Sequence, residues 1–420
     1  MVGLYVKEEE PKMNPRTSQF RLIIGTTIAS AILAACGGGG GGYSTPVTPV
    51  NTLGTLGVSL TDAPACGFDA VNITVNKVRV HQSANAADTD AGWTDITLNP
   101  ARKINLLNLT NGALEALGET PLSAGHYSQL RLVLDANSGN KIANSVIPTG
   151  DVLEKLLDTP SAVQSGIKLI NEFDVKAGQR VDLVLDFDAC KSVVIKGNGS
   201  YALKPVVKVI PTAVNGIAGF VSPLLLASHV QISAQQNGVI VSSTTPKAVT
   251  GEFFLARLIP GNYDVVITAD QKATAIIGAV PVASLTATTS LSTSIAPITL
   301  ANSATGLING AVTLTPASAT EVGYVAAMQS IASGPTVVVK YQGAELLTGS
   351  YTLSNLPVTA PQYAVYNASL PLVFSASTTS LPGTGKYRVD ASALGYTTKS
   401  IASVDISVSN QSNVNFALVP

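Results

Sequence analysis

Short stretches in which apolar and polar residues alternate recur along most of this 420-residue chain. Residues 70–81 show the pattern most clearly, because Val71, Ile73 and Val75 alternate with polar residues. A period of two places one set of side chains on each face of a β-strand. Periodic apolar segments of helix length are almost absent. The pattern predicts a mainly β chain built from strands with one buried face.

The composition narrows the classes of protein further. Charged residues make up 12% of the chain, hydrophobic residues 46%, and the formal net charge is −1. No basic stripe is available to neutralise phosphates, so nucleic-acid binding is disfavoured. After Ala35 no apolar run approaches the ~20 residues that a membrane-spanning helix needs. We expect an exported protein of two to four β-rich domains.

The amino terminus carries the pattern of an export signal. Met13 is the favoured start, because Arg16 and Arg21 then form the positive segment that precedes an apolar run. That run, residues 22–35, has 14 residues and contains threonine and serine, so it is too short and too polar for a membrane anchor helix. Residues 1–35 are therefore predicted to be a signal peptide.

The end of this run resembles the bacterial lipobox. Leu33-Ala34-Ala35-Cys36 offers small residues to a lipoprotein signal peptidase and a thiol to carry diacylglycerol. The resemblance implies cleavage before Cys36 and a membrane partner bound through the lipid. Residues 36–52, rich in Gly, Pro and Thr, are predicted to be a loose tether. Gly37 is not the aspartate associated with inner-membrane retention, so the resemblance favours the outer membrane.

Two further cysteines remain once Cys36 is assigned to the lipid. Cys66 and Cys190 would lie in a compartment that permits oxidation, so a disulfide between them is predicted. In the chain-entropy model it would add roughly 4–5 kcal/mol to stability. The alternative is a pair of buried free thiols.

Residues 53–212, which we call domain one, are expected to be β-rich. Two local expectations are that residues 103–117 pass from a strand into a helix, and that residues 167–175 and 179–187 form a hairpin. Several motifs of this region resemble an uncharacterised bacterial lipoprotein domain, domain of unknown function 4382. They are Leu60-Thr-Asp-Ala-Pro64, Val71–Val80, Leu106-Leu-Asn-Leu109, Leu122–Tyr127 with Leu130–Leu134, and Leu183–Cys190. The resemblance implies a β-rich domain of exported lipoproteins and brings no catalytic residues with it.

Two further modules follow domain one. Residues 213–300, the middle module, resemble the prealbumin-like, carboxypeptidase-regulatory type of β-sandwich, through Gly216–Val221, Gly251–Leu255 and Leu258–Tyr263. Similar segments return in residues 301–420, the last module, which is predicted to be a second, divergent sandwich with an insertion over residues 358–384. The fold class predicted for the chain is mainly β, with a β-rich domain followed by two sandwiches.

Few residues point to chemistry. His81, His126 and His229 lie in separate segments, and neither metal-binding nor nucleophile motifs occur. Asp182, Asp186 and Asp188 would share one strand face, where calcium is the candidate ligand. The alternative, a solvated face or one paired with Lys204 or Lys208, is favoured. We therefore predict no metal, no cofactor and no enzymatic activity.

Two functions remain open. The first is a non-enzymatic envelope lipoprotein with a structural, adhesive or ligand-binding role, whose ligand is a glycan or a protein. The second is carbohydrate binding by the two sandwich modules. The tyrosines enriched in the last module, at positions 351, 363, 366, 387 and 396, could stack on sugars, although core packing is favoured for most of them.

Overall fold

The computed structural model describes residues 53–63, 67–139, 141–169, 172–210, 212, 215–375 and 379–420. Strands account for 55% of the structure and helices for 5%, which confirms the predicted mainly β fold. Among the described residues, no helix is long and apolar enough to cross a bilayer. The predicted signal peptide, Cys36 and the tether lie outside the described residues.

Domain one contains two main sheets and a small two-stranded one. Its strands are β1 (Leu53–Ala63), β2 (Phe68–His81), β3 (Thr94–Asn105), β4 (Glu115–Ser123), β5 (Gly125–Tyr127), β6 (Gln129–Leu134), β7 (Ser145–Pro148), β8 (Lys155–Asp158), β9 (Ile167–Leu169), β10 (Phe173–Val175), β11 (Arg180–Asp188), β12 (Val193–Ile195), β13 (Tyr201–Leu203) and β14 (Val207–Ile210). Its helical segments are a 3₁₀ turn (Leu106–Leu109), α1 (Pro160–Gln164) and α2 (Ala189–Ser192).

The two main sheets of domain one share one hydrophobic core. The smaller sheet has the order β14-β11-β1-β4, with β1 parallel to β11 and antiparallel to β4. The larger sheet is built on β2, which pairs with β3, β6 and β7. Leu56 and Leu60 from β1, Ile73 from β2 and Leu132 from β6 are fully buried in this core. The alternation predicted for residues 70–81 therefore places the apolar face inward.

The middle module is a pair of sheets around a second core. Its elements are β15 (Gly216–Phe220), a 3₁₀ segment (Pro223–Ser228), β16 (Gln231–Gln236), β17 (Val239–Thr244), β18 (Glu252–Ala256), β19 (Gly261–Thr268), β20 (Ala275–Val282) and β21 (Thr288–Ser290). One sheet has the order β18-β15-β21 and the other begins β17-β16-β19-β20. Phe253 and Tyr263 fill the core between them.

The last module repeats this arrangement. Its strands are β22 (Thr305–Leu314), β23 (Tyr324–Ile331), β24 (Thr336–Gly343), β25 (Ser350–Pro357), β26 (Gln362–Val365), β27 (Ser380–Leu381), β28 (Lys386–Ser392), β29 (Lys399–Asp405) and β30 (Phe416–Leu418). The sheet orders β25-β22-β30 and β24-β23-β28-β29 correspond strand for strand to those of the middle module. Leu353 and Tyr387 are fully buried in the third core.

Part of the segment predicted as an insertion in the last module contributes to the middle module, whereas β27 near its end pairs with β23 of the last module. β26 pairs in parallel with β20, so that Ile277 lies opposite Ala364 and the sheet gains a fifth strand. The outer face of that sheet is also covered, because Val266 and Ile276 belong to the third core. Burial on both faces explains why β19 and β20 contain continuous buried runs.

Two local predictions for domain one are wrong. The strand-to-helix passage at residues 103–117 is a strand, one 3₁₀ turn and a second strand, because Asn111 and Gly112 take positive φ angles of 57° and 75° and stop the turn. The expected hairpin is absent: β10 pairs with β5, and β11 pairs with β1. The local pattern identified the strands but not their partners.

Candidate functional site

A cleft of about 670 Å³ opens where domain one and the two sandwich modules meet. Domain one contributes the start of β2 together with β12 and β13, the middle module the ends of its 3₁₀ segment and of β19, and the last module β24 and the end of β25. Ligand-binding clefts commonly fall between about 300 and 1,000 Å³. The cleft is therefore large enough for a small organic ligand.

The domain one wall presents aromatic rings. The Phe68 and Tyr201 rings meet edge to face with their centroids 5.8 Å apart. Behind them, Asp188 caps α2 by accepting a hydrogen bond from the Lys191 N–H at 3.1 Å. The cap fixes the position of Cys190, which also lines the cleft.

The middle module contributes a hydrogen-bonded pair. His229 Nδ1 lies 2.8 Å from Asp270 Oδ2, at the point where the 3₁₀ segment ends with a positive φ of 47° at His229. The other carboxylate oxygen of Asp270 accepts a hydrogen bond from Asn355 Nδ2 at 2.9 Å. Both oxygens of Asp270 are thus engaged by neighbours. His229 has no described hydroxyl or thiol within hydrogen-bond distance that it could activate as a nucleophile.

The last module places a lysine and two tyrosines at the cleft. Burial lowers the pKa of Lys340, and the nearby Asp270 carboxylate offsets part of that effect. No hydrogen bond or ion pair reaches the Lys340 ammonium from the described residues. Burial raises the pKa of Tyr324 to about 12 and that of Tyr341 well above its ordinary value. Both phenols are therefore neutral donors at physiological pH.

Side-chain contacts between the modules hold the three walls together. Gln235 of the middle module exchanges two hydrogen bonds with the Val338 backbone of β24, at 2.9 and 2.8 Å. Asn111 of domain one donates to the Thr245 carbonyl at 2.6 Å. Lys204 of domain one pairs with Glu321 of the last module at 2.6 Å. Each pair of modules is therefore connected directly.

The predicted cysteine sites are only partly within the described structure. Cys190 lines the cleft and is not a free thiol. Its predicted partner, Cys66, lies outside the described residues, as does the predicted lipid-bearing Cys36. The disulfide and the lipid anchor stay predictions.

The three aspartates of β11 have different partners. Asp182 pairs with Arg180 at the exposed end of the strand, at 2.8 Å. Asp188 caps α2 and pairs with Lys191 Nζ at 2.9 Å. Asp186 lies opposite Lys208 in the register of β11 and β14, whereas Lys204 pairs elsewhere. In the described part of the chain no group of three or more His, Cys, Asp or Glu side chains could hold a metal ion.

The remaining predicted candidates are scattered. His81 packs against Trp93 with ring centroids 5.1 Å apart, and His126 Nδ1 lies 2.9 Å from Asp174. Neither lies at the cleft. In the last module Tyr351 and Tyr387 are buried, and each donates to a backbone carbonyl at 2.6 Å. These two tyrosines therefore serve packing, as favoured from the sequence.

Sequence reasoning missed the cleft because its walls come from segments far apart in the chain. One signal was available. Lys340 directly follows the apolar run Val337-Val338-Val339. Lysines are rarely buried without a partner, so a lysine at this point of a strand suggests a functional role.

Comparison with known proteins locates one recognised region. Residues 53–205 match the family model described as Domain of unknown function (DUF4382), which confirms the resemblance predicted for domain one. No curated protein matches the chain. The prealbumin-like resemblance of the sandwich modules is not shown.

Likenesses to solved structures are remote. They include the Bacillus anthracis TIE protein, with 11% identity and a TM-score of 0.16 over 87% of this chain and 50% of that one. The Streptococcal ancillary pilin (9% identity) and BcpA, the major pilin subunit of Bacillus cereus (11%), also have TM-scores of 0.16, over 87% of this chain and 99% of theirs. The chain spans about half the length of the TIE protein. Scores this low carry no argument about function.

Proposed function

We propose that this protein is a non-enzymatic lipoprotein of the bacterial cell envelope that captures a small polar ligand in the cleft between its three modules. The lipobox-like sequence at residues 33–36 supports the anchor, and Gly37 in place of the aspartate associated with inner-membrane retention supports an outer-membrane location. The observation that carries the binding role is the cleft itself, which is lined by residues of all three modules.

Several features of the cleft support binding rather than catalysis. Its lining combines aromatic rings with hydroxyl and amide groups, as in sites that orient a ligand through a few polar contacts. Its one histidine is engaged by Asp270 and faces no described nucleophile. Contacts such as the Gln235–Val338 pair hold the walls in place before a ligand arrives, which favours affinity.

A ligand screen tests the binding role. The full chain is screened by thermal shift against a library of sugars, amino acids, organic acids and nucleotides, in parallel with a Ser354→Trp variant. Ser354 is exposed and lines the cleft, so the indole should fill the site without disturbing a core. We expect ligands that raise the melting temperature of the parent and not of the variant. Equal shifts in both proteins, or none, would contradict the proposal.

The anchor is tested separately. Radiolabelled palmitate should be incorporated into the parent and not into Cys36→Ala, and the variant should leave the membrane fraction. A Cys190→Ala variant is the matched control, because it removes a cysteine that we assign to a disulfide and should leave labelling unchanged. Labelling that survives Cys36→Ala would refute the anchor.

Carbohydrate binding is the second candidate, and the lining of the cleft favours it specifically. Hydroxyl and amide side chains there outnumber the charged ones, a composition that suits a polyhydroxylated ligand. On this second proposal the sugar binds between the modules rather than on the tyrosines of the last module.

A further inference from the structure

Resting on the proposed binding function, we infer that the cleft binds an acidic saccharide, with the sugar carboxylate on the Lys340 ammonium and the ring among the hydroxyls and aromatic rings of the walls.

Lys340 is the one lysine or arginine that lines the cleft in the described structure. Its ammonium has no hydrogen-bond or ion-pair partner among the described residues, although most of its side chain is withdrawn from water. Withdrawing a cation without a partner is unfavourable, and an apolar side chain of similar length would avoid the penalty. A ligand anion supplies the missing partner.

Asp270 does not take that role. Its two carboxylate oxygens are already used by His229 and Asn355, at 2.8 and 2.9 Å. Asp270 lies close enough to stabilise the charged form of Lys340 through space. Because Lys340 lines the cleft, an anion bound there would add to this stabilisation.

The negative groups of the cleft favour a carboxylate over a phosphate as the anionic group of the ligand. Asp69, on the domain one wall, is exposed and accepts one long hydrogen bond of 3.4 Å from the Gly150 N–H. Together with Asp270 it would repel a phosphate dianion more strongly than a carboxylate. Asp69 can also accept hydrogen bonds from sugar hydroxyls.

The rest of the lining matches a sugar ring. Thr268 and Thr352 supply hydroxyls, Gln342 an amide, and the Tyr201 ring an apolar surface. Sugars present hydroxyl edges and apolar C–H faces, so mixed hydroxyl, amide and aromatic walls complement them. A simple carboxylate such as acetate would use only the Lys340 contact.

Titration calorimetry on the full chain tests the inference with digalacturonic acid, the neutral disaccharide α-1,4-galactobiose, and acetate. We expect digalacturonic acid to bind most tightly, and Lys340→Met to weaken it by roughly tenfold or more. Lys340→Arg should retain most of the affinity because it retains the charge. Lys272→Met is the matched control, since that lysine does not line the cleft and is bonded to Asn302 at 2.6 Å. The affinity for digalacturonic acid should fall as salt rises.

Two results would overturn the inference. If the neutral disaccharide bound as tightly as digalacturonic acid, and Lys340→Met left both affinities unchanged, the charge of Lys340 would play no part in recognition. If acetate bound as tightly as digalacturonic acid, the sugar ring would contribute nothing to the affinity.

The screen with Ser354→Trp separates this inference from the function on which it rests. If other ligands bind and are blocked by that variant while digalacturonic acid is silent, the ligand class is wrong and the binding role stands. If nothing binds at the cleft, both are wrong.

Discussion

At the scale of single residues, each of the two sandwich modules contains a glycine that meets the same backbone requirement. Gly251 and Gly349 have φ angles of +69° and +68°, and a Cβ on either would collide with a backbone carbonyl, that of Val221 or Val312. The same two valines donate hydrogen bonds to the carbonyls of Gly251 and Gly349, at 2.9 and 2.8 Å. Each glycine therefore combines a left-handed backbone with close contact to a valine in, or directly after, the first strand of its module.

Gly349→Ala should lower the free energy of unfolding by about 3 kcal/mol or more, because the methyl group adds a collision to the strain of the positive φ. Gly178→Ala is the control: its φ is +70° with nothing near the new methyl group, so the loss should be only about 1–2 kcal/mol. Urea unfolding of both variants measures the difference. Equal losses would show that close packing contributes nothing.

Asp186 makes stability depend on pH. Burial raises the pKa of its carboxyl to about 6, and repulsion from Asp188 adds to the rise, whereas Lys208, Arg257 and Lys191 oppose it. Between its ordinary pKa and pH 6 the folded protein holds a proton that the unfolded chain has lost. This contribution to stability is complete at low pH and disappears as the pH rises to about 6.

Asp186→Asn should therefore stabilise the protein by about 1–2 kcal/mol at pH 7.5, and the gain should vanish near pH 4. Asp182→Asn, at the exposed and ion-paired end of the same strand, should change stability by less than about 0.5 kcal/mol at pH 7.5. Denaturation across this pH range checks both. A gain in Asp186→Asn that is independent of pH would contradict the assignment.

At the scale of elements, the sequence predicted strands better than their partners. The alternation at Val71, Ile73 and Val75 identified β2 and its buried face because period two is a local property. The parallel pairing of β1 with β11 joins residues more than 120 positions apart, and nothing in either strand specifies the other. β26 was hidden for the same reason, since its partner belongs to a different module.

Ala364→Pro tests the pairing of β26 with β20. The Gln362 and Tyr366 N–H groups donate to the Thr274 and Gly278 carbonyls, so the intervening Ala364 N–H faces β20 as well. Proline lacks this N–H, so the variant should exchange the β20 amides faster by about tenfold or more.

The control is Val365→Pro, since the N–H at this exposed position points away from β20. It should leave exchange in β20 nearly unchanged. Equal exchange in β20 for both variants would mean that β26 does not support the middle module.

At the scale of the whole molecule, the interfaces determine the cleft. The sequence could indicate the modules, because each contains its own strand pattern. It could not indicate the cleft, because Phe68, Asp270 and Lys340 are brought to one site by contacts between modules, such as that of Gln235 with Val338. A glutamine in a strand carries no local signal of such a contact.

Gln235→Leu should destabilise the protein by about 2–4 kcal/mol, because it leaves the buried N–H and C=O of Val338 without partners. Gln236→Leu, at the half-exposed neighbouring position, should cost less than about 0.5 kcal/mol. Thermal unfolding and the affinity for digalacturonic acid are measured together. Full affinity in an equally stable Gln235→Leu protein would show that this contact does not shape the site.

The most direct test of the account is hydrogen exchange of the full chain with and without digalacturonic acid. We predict simultaneous protection in one segment of each module: residues 193–195 of domain one, 268–270 of the middle module and 339–343 of the last module. Protection confined to a single module, or none at saturating ligand, would contradict a binding site built jointly by all three.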